Sequence, residues 1–428
     1  MTTHDPRGRG RVAATTCLLH INAVVAAALL FAPPEVAHAQ ATPLTERAAV
    51  QMALARPAYR AAEASRIAIG ESTVAQAGLP PNPHLSLAHE RVNAPGGRAI
   101  ESTLQLSQEF DVSGRRILRR QAAEHRLDSI QAEGEAARRR LVGEVRNAFS
   151  DALHRDQARR ALRAWGQRID VAYTIVRELA KAGEASGYER RRLERERQTA
   201  QARAARTEAD YLRAREVLLG LLGPQQARVV DPAGDLIPDE LPPLTTAQAS
   251  LRRRPDLQAL LAQAEAFDRE RRAAERAWIP DVTLGAGPKR VEEAGRNDIG
   301  LALSVSIPLP IFDRGQPAQQ RATAEAALTR AEHDLRLDRW EAELRGVWAQ
   351  ASELRRTAVA FRNEAISGSR DLSRIAEAAY RGGESTLLEL LDAYRNELEA
   401  ETTTLELELA ARLARIELDL LSGAPVYE

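Results

Sequence analysis

The side chains best able to do chemistry in this chain are few, and their spacing argues against a reaction centre. Beyond residue 40 the histidines are His84, His89, His125, His154 and His333. None has another histidine four residues away, the spacing that turns two imidazoles toward one metal on a helix face. His84 and His89 fall on opposite faces of an extended segment. Cys17 is the only cysteine, so disulfides and multi-thiolate metal sites are excluded. There is no glycine-rich phosphate loop and no Gly-x-Ser-x-Gly turn. The residues thus point to no enzyme, no cofactor and no bound metal. What remains is an acidic pair, Glu389 and Asp392, in Leu388-Glu389-Leu390-Leu391-Asp392-Ala393. Three residues apart on a helix, the two share a face. That pattern suits a solvated surface as well as a functional one.

The rest of the composition describes a scaffold. The 60 basic and 60 acidic residues cancel, so no overall field draws nucleic acid or anionic lipid. Charged residues make up 28% and aromatics 4%, which suits long amphipathic helices with small-residue seams better than a thick core. The N-terminus reads as a targeting segment. Arg7, Arg9 and Arg11 precede an apolar run centred on Val24 to Phe31, and Ala37-His38-Ala39 supplies a small-x-small cleavage pattern before Gln40. An N-terminal anchor is the alternative, but His20, Asn22 and Pro33-Pro34 interrupt a run already short for a span. The expectation is a signal peptide over 1–39. Cys17 precedes the apolar run and lacks an aliphatic residue three positions before it, so it reads as unlipidated and removed with the leader. No later stretch approaches eighteen apolar residues, which leaves a β-barrel as the way such a chain would cross a membrane.

Four segments alternate like strands. In 298–309, Ile299, Leu301, Leu303, Val305, Ile307 and Leu309 alternate with small or polar residues. In 99–110, Ile100, Leu104, Leu106 and Phe110 alternate with Glu101, Thr103, Gln105 and Glu109. Weaker partners lie over 84–92 and 281–288, joined by loops at 93–97 and 292–297. Transmembrane strands need about 9–11 residues. Four strands cannot close a barrel, and an open edge in lipid would leave backbone groups unpaired. Either these strands form a soluble sheet, or several chains each contribute four, three chains giving twelve. Between them run proline-free stretches over 115–182 and 318–382, each about 100 Å long as a helix, followed by return helices over 186–222 and 386–422. Leu141, Val145, Ala148 and Ala152 mark one seam; Leu387, Leu391, Tyr394 and Leu398, then Leu405, Leu409, Leu413, Ile416 and Leu420, mark another. Such spacing predicts antiparallel coiled-coil packing.

The chain is also written twice. Arg56-Pro57 recurs as Arg254-Pro255, Pro83 as Pro280, Gly114 as Gly315, Gly183-Glu184 as Gly383-Glu384 and Gly223 as Gly423. Breakers in one order at nearly constant offset define two repeats, 40–243 and 244–428. Each reads helix, strand, strand, very long helix, tight turn, long helix.

This arrangement resembles the TolC family of outer-membrane efflux proteins over the whole chain beyond the leader. The local cues are Gly78-Leu79-Pro80-Pro81-Asn82-Pro83, Ile307-Pro308-Leu309-Pro310-Ile311-Phe312-Asp313-Arg314-Gly315 and Tyr380-Arg381-Gly382-Gly383-Glu384. The resemblance implies a mainly α protein with a transmembrane β-barrel: a homotrimer whose twelve-stranded barrel sits in outer-membrane lipid above a twelve-helix periplasmic tunnel. It implies a passive conduit working with a periplasmic adaptor and an inner-membrane pump of the RND type. The adaptor would dock at the turns of Gly183, Glu184, Gly383 and Glu384. Glu389 and Asp392 would ring the entrance, three copies giving six carboxylates that favour cations. Tyr380 and Glu189 match positions that hold the entrance closed, with glutamate in place of the usual aspartate. Ser385 stands where the family has an arginine, which removes one closing contact. After the second turn, Leu387-Leu388-Glu389-Leu390-Leu391-Asp392 is expected to line the entrance, while Arg190-Arg191-Arg192 after the first faces outward.

The short length, the missing lipidation cysteine and the Gly-Leu-Pro-Pro-Asn-Pro segment look most like the CzcC-type branch, which serves heavy-metal cation pumps. A drug-efflux or type I secretion conduit is the alternative cargo. A periplasmic coiled-coil scaffold or adaptor is the alternative class; it would not need four alternating strands.

Overall fold

The structure is a computed structural model that describes residues 43–94, 97–223, 231–293 and 295–424. The leader expected over 1–39, Cys17 included, lies outside the described residues. Helices α1 (Glu46–Leu54) and α2 (Pro57–Gly78) lead into β1 (His84–Ala94) and β2 (Gly97–Phe110). Helices α3 (Arg115–Ala182) and α4 (Gly187–Leu222) then form a hairpin. The same order follows in α5 (Leu244–Leu251), α6 (Pro255–Glu275), β3 (Val282–Glu293), β4 (Arg296–Ser306), α7 (Gln316–Arg381) and α8 (Leu387–Ser422). At 68 and 66 residues, α3 and α7 are each about 100 Å long.

The recurring Arg-Pro pairs explain how shorter helices match such length. Arg56 and Arg254 are the N-cap residues of α2 and α6, with proline in the first turn where its missing N–H costs nothing. Each arginine side chain reaches across to the carbonyl end of a return helix. Arg56 Nη1 donates to the carbonyls of Gly220 (3.1 Å) and Leu221 (3.0 Å) at the end of α4. Arg254 Nη1 donates to Leu420 (3.2 Å) and Leu421 (2.8 Å) at the end of α8. A cation at a helix C-terminus satisfies orphan carbonyls and opposes the negative end of the dipole. Thus α4 meets α2 and α8 meets α6 end to end. α3 packs beside α4 and α2, α7 beside α8 and α6, and contacts of α3 with α6 and α8 join the two repeats.

Packing is segmental. One apolar cluster gathers Val50, Val145, Phe149, Leu218 and Leu236; a second gathers Leu251, Leu344, Val347 and Leu418; a third, at the helical turns, gathers Trp165, Ile169, Leu193, Leu390 and Tyr394. Buried ion pairs occupy seam positions near and between them. Arg146 bonds Asp419 (2.9 Å) and Glu46, all three buried. Arg362, partly exposed, bonds the buried Glu408 and also the exposed Asp235 at 2.6 Å. Such charges are tolerated only because each has its partner. They also modify the seam of α8, where Ile416 is buried and Leu405 and Leu409 pack against the first cluster as their spacing predicts. Thr404, Glu408, Ala411 and Leu418 are buried while Leu413 stays 38% exposed, because Arg362 draws Glu408 inward.

The strands form one antiparallel sheet in the order β1-β2-β3-β4, so β2 of the first repeat pairs with β3 of the second. The hairpins are tighter than the sequence suggests, with strands running to Ala94 and Gly97 and to Glu293 and Arg296. β3 passes through Pro288 although it has neighbours on both sides. The β2–β3 register skips Pro288 and Gly287, where a Cβ on Gly287 would lie 1.9 Å from the Leu104 carbonyl oxygen. A residue without an amide donor and one without a side chain together interrupt the ladder locally and let the strand continue. β4 ends at Ser306, short of the expected Leu309, because the prolines at 308 and 310 cannot donate to a ladder. Leu85, Leu87, Leu104, Leu106, Leu284, Ile299, Leu301, Leu303 and Val305 share one face by register and are exposed. The opposite face carries Ser86, Glu90, Glu101, Thr103, Lys289 and Ser304. There Gln105 Nε2 donates to Ser304 Oγ (2.5 Å) over the gap that Gly285 leaves in β3. Among the described residues no helix is long and apolar enough to cross a membrane.

The two junction arginines should differ in worth. Arg254 also grips Asp256 through two bonds (2.9 and 2.6 Å) and lies 3.9 Å over the Trp340 ring. Arg254→Ala is expected to cost roughly 2–3 kcal/mol and Arg56→Ala about 1 kcal/mol. Thermal unfolding of the two variants against the parent checks the order; equal losses would contradict it.

Candidate functional site

The residues singled out for function gather at the two helical turns, which are built alike. α3 ends at Gly183, whose φ of +82° requires the left-handed region open to glycine, and Glu184 N–H returns to Leu179 C=O at 2.9 Å. At the second turn Gly383 has φ +75°, and Glu384 N–H returns to Ala379 C=O, also at 2.9 Å. Both return helices then open with a capping box. Glu189 Oε2 accepts from Ser186 N–H (2.8 Å), and Glu189 N–H donates to Ser186 Oγ (3.1 Å). Glu389 Oε2 accepts from Thr386 N–H (2.8 Å), and Glu389 N–H donates to Thr386 Oγ1 (3.4 Å).

This gives Glu189 and Glu389 a structural task that the reading as gate residues missed. The signal was present as Ser186-x-x-Glu189 and Thr386-x-x-Glu389, the standard spacing of a capping box. Asp392 is free of that task. It is exposed, and its Oδ2 accepts from Asn396 Nδ2 at 3.3 Å within the same helix. Glu184 and Glu384 are exposed at the tips. Tyr380 is buried, and burial followed by the negative charge of Glu189 raises its phenol above the ordinary tyrosine range. Within one chain, Tyr380 therefore feels the negative charge of Glu189. Ser385 packs with its hydroxyl buried and without a hydrogen-bond partner.

One expectation is overturned. Leu387, Leu390 and Leu391 do not line an opening; they are buried against Trp165, Ile169 and Leu193 in the cluster that holds the hairpins together, and only Leu388 is exposed. The helical period places them opposite to Asp392, so the apolar and acidic residues of this segment serve different faces. On the first turn Arg190 and Arg191 are exposed, and Arg192 Nη1 donates to the exposed Tyr188 hydroxyl at 3.3 Å.

Further contacts near the turns tie the second hairpin to the first. Arg395 on α8 holds Glu196 on α4 through two bonds (3.2 and 2.6 Å). Arg168 on α3 pairs with the buried Glu397 on α8. Within the second hairpin, Ser373 Oγ on α7 donates to the Ala393 carbonyl on α8 at 3.0 Å. The Tyr394 phenol is pushed up to about 12 by burial and then by Glu377. Among the described residues no group of three or more His, Cys, Asp or Glu could hold a metal ion.

The capping role separates two substitutions at one residue. Glu389→Ala removes the carboxylate that closes the box and is expected to speed amide hydrogen exchange over residues 386–391 about fivefold, equivalent to ~1 kcal/mol. Glu389→Gln keeps an acceptor in place and is expected to stay within about twofold of the parent. Equal exchange in both variants would show that the cap does not hold the turn.

A sequence profile of the outer membrane efflux protein family matches residues 38–224 and 246–424, one segment for each repeat. The cobalt-zinc-cadmium resistance protein CzcC of Cupriavidus metallidurans is 28% identical over 375 residues, covering 84% of this chain and 85% of that protein. A membrane protein of Pseudomonas aeruginosa shares the fold with a TM-score of 0.73 at 21% identity, over 88% of this chain and 92% of that one. CusC, whose crystal structures concern transmembrane channel formation, gives 0.72 at 17% identity, over 89% of this chain and 92% of its own. Matched through both of its helical hairpins and both of its strand pairs, the chain belongs to the outer membrane efflux protein family.

Proposed function

We propose that this chain is the outer-membrane exit duct of a tripartite efflux system, conducting heavy-metal cations passively from an inner-membrane pump and a periplasmic adaptor to the exterior. The observation that carries the reading is the sheet: four strands with an exposed apolar face and two unpaired edges, mounted on helices of about 100 Å. A lipid-facing sheet must have no open edge. Three copies, β4 of one meeting β1 of the next, would close a twelve-stranded barrel, and their helices would continue it as a periplasmic tunnel. The leader over 1–39 would export the chain, without lipidation at Cys17. Energy would come from the pump, so the duct itself needs no catalytic residues. The name of the CzcC relative, a cobalt-zinc-cadmium resistance protein, supports divalent metal cations as cargo.

At the far end of the helices, Gly183, Glu184, Gly383 and Glu384 would meet the adaptor. The entrance would be held narrow by Tyr380 beside Glu189 and by the Arg395–Glu196 pair, which joins the two hairpins where Ser385 offers no cationic side chain. Asp392, with Glu389 beside it, would present negative charge to entering cations.

Two measurements test this reading. A strain lacking the chain but retaining pump and adaptor is expected to become sensitive to cobalt, zinc or cadmium and to recover with the chain restored. Sensitivity to drugs alone would assign the alternative cargo. In planar bilayers, Tyr380→Phe combined with Glu189→Gln is expected to raise single-channel conductance, and because glutamine preserves the cap the change would report charge and hydroxyl loss, not fraying. Unchanged conductance would remove these residues from the gate.

A further inference from the structure

We propose that the hairpin end of the sheet's outward face binds phosphate-bearing lipid headgroups through Arg91 and Arg98, with Arg290 beside them; this rests on the apolar face lying against lipid. Register fixes which residues share that face. Leu85 stands beside Leu106 and Leu87 beside Leu104. Moving toward the hairpins, His89 stands beside Ser102, which faces Arg290; then Arg91 stands beside Ile100, which faces Glu292; last, Asn93 stands beside Arg98. The outward positions thus change from leucine to arginine within a few rows. Along β2 the stretch from Phe110 to Ile100 rises about 33 Å, or about 25 Å along the axis of a strand tilted near 40°, the height of an apolar band. Its polar interruptions have partners: Gln108 donates to the Pro81 carbonyl just before β1 (2.9 Å), and Ser102 meets His89 Nδ1 on the neighbouring strand (2.9 Å). The arginines begin where the band ends.

Their charges are unequally compensated. Arg290 pairs with Glu292 (2.7 Å) and donates to Asn297 Oδ1 (2.7 Å). Arg91 and Arg98 are exposed and have no ion pair among the described residues. On adjacent strands and diagonal to one another, they lie about 7 Å apart at the Cα atoms, a spacing that one phosphate can bridge with charge-assisted bonds from both guanidinium groups. The inward face at the same height has the opposite bias. It carries Glu90, Glu101, Glu293 and Asp298 against Lys289 and Arg296, and Lys289 is already held by Glu101 at 2.5 Å. A cationic cargo passing inside would meet carboxylates, while the arginines are addressed outward. Anionic headgroups at the rim of the apolar band are the partner that charge and position fit together.

The test uses the full chain in bilayers of phosphatidylethanolamine containing either bisphosphorylated or dephosphorylated lipid A, with lipid retention on the purified protein as the readout. The parent is expected to retain the bisphosphorylated form selectively. Arg91→Gln with Arg98→Gln is expected to lower that retention about tenfold, and Arg91→Lys with Arg98→Lys to preserve most of it, while both double variants conduct like the parent in phosphatidylethanolamine alone. Equal retention by the glutamine variant, equal retention of the dephosphorylated lipid, or full competition by inorganic phosphate at equal concentration would each overturn the proposal with the duct intact. A parent that neither inserts nor conducts in any bilayer would instead sink the duct reading, and this proposal with it.

Discussion

The fold depends on how helices end. A helix leaves four carbonyls without internal partners, and α4 and α8 both stop in the middle of the molecule, where an unfinished end would be costly. Arg56 and Arg254 resolve this by belonging to the next helix in line while bonding the carbonyls of the one before. Because a guanidinium carries several donors on a rigid plane, one side chain can satisfy two carbonyls and still hold Asp256. Two stacked helices thereby stand in for one of full length. That frees the chain between them to leave the bundle, build a strand pair and return as the next long helix.

Every strand pair is anchored the same way. Asp111, just past β2, accepts from the backbone of Ser113, Arg115 and Arg116. Burial would raise its carboxyl, but the bonds from Ser113, Arg116, Arg115 and Gly114 outweigh that and hold it at about 2. Asp313 does a smaller version of the same task by accepting from Gly315 N–H at 2.8 Å. Each strand pair is therefore joined to its long helix through an aspartate-anchored turn, and the apolar surface of the sheet is left for other partners.

Much of this was legible because it depends on residues that break structure. Glycines 114, 183, 315, 383 and 423 all take positive φ, and only a few residue types tolerate that, so their recurrence carried the topology. The alternating strands were visible for the same local reason. What remained hidden was non-local. Nothing near Arg395 in the chain points to Glu196, and the inward turn of Glu408 depends on Arg362, 46 residues away. Pro288 argued for a shorter β3, and only the neighbouring Gly287 made the longer one possible. The leucines after the second turn misled because an apolar run does not reveal which neighbour covers it; here it is α3 and α4 of the same chain. Glu189 and Glu389 show the reverse case, in which a local signal was present and a more distant role was preferred.

The matching caps at the two turns have a mechanical consequence. Each tip closes its own loose ends, with Glu184 and Glu384 N–H turned back on the helix before and Glu189 and Glu389 folded over the helix after. None of these bonds is borrowed from the other hairpin. A hairpin finished in this way behaves as a stiff lever: load applied at its tip is carried along the helices instead of being spent on unravelling the end. The contacts that would have to slide or break if one hairpin moved are the ones between hairpins: Arg395 with Glu196, Arg168 with Glu397, and the apolar packing of Leu390 and Leu391 against α3 and α4. The bonds that finish each tip and the contacts that join the hairpins are thus carried by separate sets of residues.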